Sequence, residues 1–182
     1  MTSLASLAAV LWATLVAADQ TAPRLDELFT QLANAPGDRQ AAAIEQRIWQ
    51  AWFEHEDPAA ASLLTRAREA AQAGNAASAE ALFDELVGTH PAYAEAWNQR
   101  AILRYLQGNL DGSLADIAQA LALEPRHFGA LSGRGQCLFR QERYREAADA
   151  FRDALSINPW LDSVRMQLDM LEALLNERAQ PI

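Results

Sequence analysis

The chain has 182 residues, just over half of them apolar, and carries a net charge of -9 with fifteen arginines and no lysine. That length suits a single domain with a proper core, and the apolar share excludes a disordered chain. The charge excludes a phosphate-backbone binder, which needs a basic stripe, and a single cysteine excludes an internal disulfide or a cysteine-based zinc site. Alanine and leucine dominate over the β-branched residues, so helices are expected throughout.

The first expected element is an apolar run, Leu4 to Ala18, "LASLAAVLWATLVAA", without a charge and ending in Val16-Ala17-Ala18 before Asp19. It is shorter than the roughly 20 residues of a bilayer span and matches the apolar core of a secretory signal. The preceding "MTS" lacks the usual positive charge, so residues 1–18 are expected to be a signal peptide or an N-terminal membrane anchor, and a buried helix is the third possibility. Export to the periplasm is the leading expectation, with inner-membrane anchoring facing the periplasm as the alternative.

Residues 19–58 are expected to form a helical hairpin that caps the molecule. Leu25, Leu28, Phe29 and Leu32 share one face of a first helix, and after "NAPGD" Ile44, Ile48 and Trp52 line a second, widened by Trp49 and Phe53. Asp57-Pro58 then reads as an N-cap followed by proline at the first helical position.

From residue 59 the sequence repeats. Pro91, Pro125 and Pro159 are 34 residues apart, and other positions recur with them: Gly74, Gly108 and Glu142; Ala79, Ser113 and Ala147; Phe83, Ile117 and Phe151; Leu86, Ala120 and Ala154. Trp97, Ala101 and Tyr105 place an apolar stripe on a helix A, Gly108 ends it in a left-handed turn, and Leu110, Leu114, Ile117 and Leu121 continue as helix B. Small residues at fixed offsets with a terminal proline make this chain resemble the tetratricopeptide repeat family. The resemblance implies an all-α, right-handed solenoid with repeats at about 60–93, 94–127 and 128–161, filling 59–159. Leu161, Val164, Leu168, Leu171 and Leu175 then predict a capping helix within 160–182, covering an interface otherwise open to water.

The stretch "FGALSGRGQC", residues 128–137, holds three glycines, a serine, an arginine and Cys137. A phosphate-binding loop needs its glycines between a strand and a helix, with free N–H groups. The register instead places this stretch inside a helix A, with Gly135 at the packing position of Ala101 and Cys137 as a buried filler. Gly129 and Gly133 have no such explanation, and a close approach of a partner's main chain is expected there. His90 and His127 flank prolines and are expected at the surface near helix ends. "EHED" at 54–57 lacks the spacing of a zinc site. No metal, no cofactor and no catalytic constellation is expected, so an enzyme with a site assembled by folding ranks third among the readings.

In families with this repeat the A helices line a concave groove that holds a peptide or a helix. The resemblance carries that role to Leu64, Arg68 and Gln72 in the first repeat. In the second it falls on Glu95, Asn98, Ile102, Tyr105 and Leu106, and in the third on Gly129, Ser132, Gln136, Phe139 and Arg140. Asn98 could donate to and accept from a ligand backbone. The two-carboxylate clamp of chaperone-binding members is not reproduced, because lysine is absent and its third-repeat basic positions read Gly129 and Gly133. The phrases "AEAWNQRAILRYLQG" and "LALEPRHFGALSGRG" resemble small exported tetratricopeptide proteins of alphaproteobacteria. The expected role is a protein-binding adaptor or assembly factor in the cell envelope, with a protein or peptide partner and no nucleic acid. Membrane contact is expected only through an uncleaved N-terminal segment, and the chain is expected to be a monomer or weak homo-oligomer. Self-association through apolar faces is the alternative.

Overall fold

The computed structural model describes residues 22–179, so the apolar run of 4–18 lies outside the described residues. Every element among those residues is a helix: α1 (Ala22–Ala33), α2 (Asp38–Phe53), α3 (Pro58–Gln72), α4 (Ala76–Thr89), α5 (Ala94–Leu106), α6 (Leu110–Leu123), α7 (Phe128–Arg140), α8 (Tyr144–Ile157) and α9 (Asp162–Ala179).

The helices start and stop for local reasons. Asp57 caps α3 by accepting from the Ala59 N–H at 2.8 Å, with Pro58 opening the first turn. Asn75 and Asn109 cap α4 and α6 in the same way. The turns inside each pair need a left-handed residue, supplied by Gly74 (φ 75°) and Gly108 (φ 81°). The third turn uses Glu142 at φ 60°, a conformation that costs a side-chain-bearing residue about 1 kcal/mol.

The pairs α3–α4, α5–α6 and α7–α8 stack in register as a right-handed solenoid. Phe83, Ile117 and Phe151 are buried at equivalent places on the second helices, as are Ala79, Ser113 and Ala147. Gly135 is required by this packing, since a Cβ there would lie 2.9 Å from Phe151 Cζ and nearer still to other atoms of that ring. Ser113 Oγ donates to the Ala101 carbonyl at 2.8 Å, tying α6 to α5. Asp116 is buried beneath two cations: Arg100 donates to both its oxygens, and Arg104 to Oδ2 at 2.8 Å. Arg100 also reaches Asp84 of the preceding pair at 2.7 Å, so this ion network spans a repeat boundary.

At the C-terminal end α9 covers α8 with Val164, Leu168 and Leu171. It begins 34 residues after α7, as α7 begins 34 after α5, so it continues the register of the first helices. The α1–α2 hairpin exists as expected but does not lie along α3. Its core, Leu25, Leu28, Leu32, Ile48 and Trp52, closes on Phe128 at the start of α7 and on Ile157, Trp160 and Leu161 around the α8–α9 turn. Bonds across this junction include Trp160 Nε1 to the Leu32 carbonyl at 3.2 Å and Asn158 Nδ2 to Glu45 Oε2 at 3.0 Å. The hairpin therefore folds back over the N-terminal ends of the helices that line the inner face.

Candidate protein-binding surface

The first helix of each pair, α3, α5 and α7, presents one face inward, and α9 extends the series. The structure divides the thirteen groove residues expected from the sequence into a covered set and an open set.

The covered set lies at the helix starts. Leu64 is part of the α3–α4 core. Asn98 is only 2 % exposed, and its amide donates to Glu95 Oε2 at 3.2 Å, so it faces no open groove. Glu95 is equally buried and holds Gln99 Nε2 at 2.6 Å and His127 Nε2 at 2.8 Å. His127, expected at the surface, is completely buried. It caps α7 by accepting the Ala130 N–H on Nδ1 at 3.2 Å, which leaves Nε2 to carry the proton donated to Glu95. Its ring stacks on Trp52, centroids 4.0 Å apart and planes 9° from parallel.

Gly129 is explained by the same junction. A Cβ there would stand 3.1 Å from Trp49 Cζ2 and well inside contact distance of Cη2, so the indole occupies the space a side chain would fill. The close approach expected at this glycine is made by the chain's own hairpin. Gly133 differs: a Cβ would meet Ile117 Cδ1 at an ordinary 3.5 Å. Ser132, half-buried, donates Oγ to the Phe128 carbonyl at 2.7 Å.

The open set lies towards the helix ends. Ile102, Leu106 (72 % exposed) and Phe139 (46 %) present apolar surface, and on α9 Met170 stands at the register position of Ile102, with Met166 exposed one turn nearer the helix start. Arg140 is exposed, with its guanidinium 4.8 Å from the Tyr105 ring and Nη1 donating to the Tyr105 carbonyl. Arg68 sits over the Phe53 ring at 4.3 Å. Gln72 is exposed and Gln136 half-buried beside them. The only carboxylate among the thirteen residues is Glu95, which is sealed against His127, so the charge these thirteen expose is that of Arg68 and Arg140, while Asp169 is exposed beside Met170.

Cys137 is inert filler. Burial pushes its thiol pKa up, partly offset by the contact with Ser113 Oγ at 3.3 Å and by the Arg140 charge. His90 bridges Thr89 Oγ1 and Asp57 Oδ2, and His55 accepts the Asp57 N–H, so "EHED" is used in joining α2 to α3.

The tetratricopeptide repeat model matches residues 64–121 and 101–159, more than half of the chain. The chain is a tetratricopeptide repeat protein. A repeat-containing protein of Rhizobium etli is 34 % identical over 148 residues, covering 81 % of this chain and 72 % of the relative. Among solved structures, the tetratricopeptide domain of Sgt2 from Aspergillus fumigatus superimposes with a TM-score of 0.64 at 20 % identity, over 69 % of this chain and 87 % of that one. The first such domain of RPAP3, bound to the HSP90 peptide SRMEEVD, gives 0.62 at 19 % identity, over 64 % and 93 %. These structural likenesses carry the fold alone.

The hairpin's place was the part that sequence reasoning missed. One signal was present: Ile44, Ile48, Trp49, Trp52 and Phe53 form an apolar face wider than α1 could cover.

Proposed function

We propose that this tetratricopeptide protein is a non-enzymatic adaptor or assembly factor that holds a partner's peptide or helix on the open half of its concave face. One observation carries the reading: Ile102, Leu106, Phe139, Met166 and Met170 remain exposed along successive inner helices. Exposed large apolar side chains repeated on the first helices mark an interaction site, and methionines adapt to differing side chains. Arg68 and Arg140 flank that strip in a chain whose net charge is -9, so the partner segment fitting it is apolar with acidic residues beside the apolar ones. Peptide binding by a structural neighbour supports this reading.

The proposed site of action is the cell envelope. Cleavage after Ala18 would release the chain into the periplasm, and retention of residues 4–18 would anchor it in the inner membrane facing the same compartment. Intact mass of the purified native chain and fractionation of the cells distinguish the two, and a full-length cytoplasmic chain overturns both.

A photo-crosslinking residue at position 106 or 139 should capture a partner protein in cells, whereas one at Glu85 should not. Capture from position 85 with none from 106 or 139 moves the site elsewhere. Self-association through the same strip predicts instead a concentration-dependent dimer in light scattering.

A further inference from the structure

We propose that the α1–α2 hairpin is a detachable internal ligand of the concave face. The floor beneath it would then be a receptor for an amphipathic helix carrying tryptophans three residues apart. This rests on the concave face being the partner-binding face.

The hairpin's attachment and the shape of its seat converge on it. The hairpin stands outside the 34-residue register, and a four-residue link, Glu54 to Asp57, leads to α3, with Phe53 the α2 residue that packs on the α3–α4 core. The floor is shaped as a socket: Gly129 leaves room for the Trp49 ring, and His127, fixed by Glu95 and by its cap to α7, offers a flat surface to Trp52. Phe128 completes the socket edge-on to Trp49, centroids 5.4 Å apart. This arrangement treats α2 as a binding site treats a ligand, aromatic knobs entering a preformed hollow.

The closed form also carries a defect. Trp52 Nε1 is buried with no acceptor among the described residues, a donor that regains water when the hairpin lifts. Along the edge the seat is closed partly by an exposed ion pair, Asp26 with Arg126 at 2.6 Å, which in water stabilises little. The apolar junction keeps the closed form dominant. Opening is then a minor population that a competing helix draws out by binding it preferentially.

Two substitutions in the full chain separate the hairpin from its socket. Asp26→Arg sets two cations against each other at the hairpin edge and leaves the socket intact. Gly129→Ala fills the socket and favours the α7 helix itself. The probe is a labelled synthetic peptide of residues 22–53, read by fluorescence anisotropy, with hydrogen exchange followed by mass spectrometry. Asp26→Arg should bind the peptide about two- to fivefold more tightly than wild type, with faster exchange in residues 22–53 and unchanged exchange in 94–157. Gly129→Ala should show the same local exchange but no peptide binding. The proposal is overturned if Asp26→Arg binds no peptide and residues 22–53 exchange only together with the stack, or if both variants bind the peptide equally. Crosslinking from positions 106 and 139 reports the open strip independently, so its failure beside successful peptide binding would remove the adaptor reading alone.

Discussion

The two ends of the concave face are built from the same helices and treated in opposite ways. Towards the helix starts, Glu95, Asn98, His127 and Gly129 lie beneath the hairpin, their polar atoms paired with one another or with helix N–H groups. Towards the helix ends, Ile102, Leu106 and Phe139 stand in solvent, with Arg140 reaching from α7 to the end of α5. A repeat position therefore does not have one role. Whether it serves stability or recognition depends on what else the chain lays across it.

The contrast breaks most sharply at Trp52 and Leu106. Trp52→Ala empties the centre of the hairpin junction and should cost about 3–5 kcal/mol in chemical unfolding, Nε1 having no acceptor among the described residues. Leu106→Ala should leave stability within roughly 0.5 kcal/mol while reducing crosslinked partner from position 139. Equal stability losses at the two positions would show that the open strip is covered after all.

A smaller effect sharpens the reading of α7. Gly135→Ala drives a methyl group into the Phe151 ring and should destabilise by about 1–3 kcal/mol. Gly133→Ala meets only Ile117 at ordinary contact distance and should stabilise by up to about 1 kcal/mol through helix propensity. Thermal melts of the two variants should move in opposite directions; a shared direction would mean that the α6–α7 contact is tighter than it stands here.

How far the sequence reveals this arrangement follows from the range of the interactions. The repeats are legible because each is a local pattern copied at a fixed spacing, so Ala101 and Gly135, or Gly74, Gly108 and Glu142, index one another. The left-handed conformation of Glu142 shows the register holding even where the glycine is missing. Gly129 and Gly133 look alike in sequence, yet one seats Trp49 and the other has no packing requirement. Nothing local distinguishes them, since Trp49 comes from a helix with no copy elsewhere in the chain to index it. His127 eluded the reading for the same reason. A histidine at a helix start is usually solvated, and only Trp52 from the hairpin turns it into a buried cap. Ile102, Leu106 and Phe139 were legible through the register; the exposed Met166 and Met170 on the capping helix and the covering of Asn98 were not.

The smallest expected effect lies at the tether. The His90 side chain, followed by the Ala59 N–H, holds the Asp57 carboxyl below its ordinary value. A depressed folded value means stability that is present above about pH 4, where the unfolded carboxylate is ionised, and lost as pH falls through the folded value. Asp57→Asn retains an N-cap acceptor but not the charge, which separates the two contributions. Its melting temperature should fall slightly below wild type at neutral pH, and the gap should close on acidification below pH ~4. The carboxylate is exposed, so added salt should narrow the gap as well. A gap that persists in acid would assign Asp57 to capping alone. The His90 contact would then contribute geometry to the α2–α3 tether without electrostatic stabilisation, and the hinge of the hairpin would be insensitive to pH.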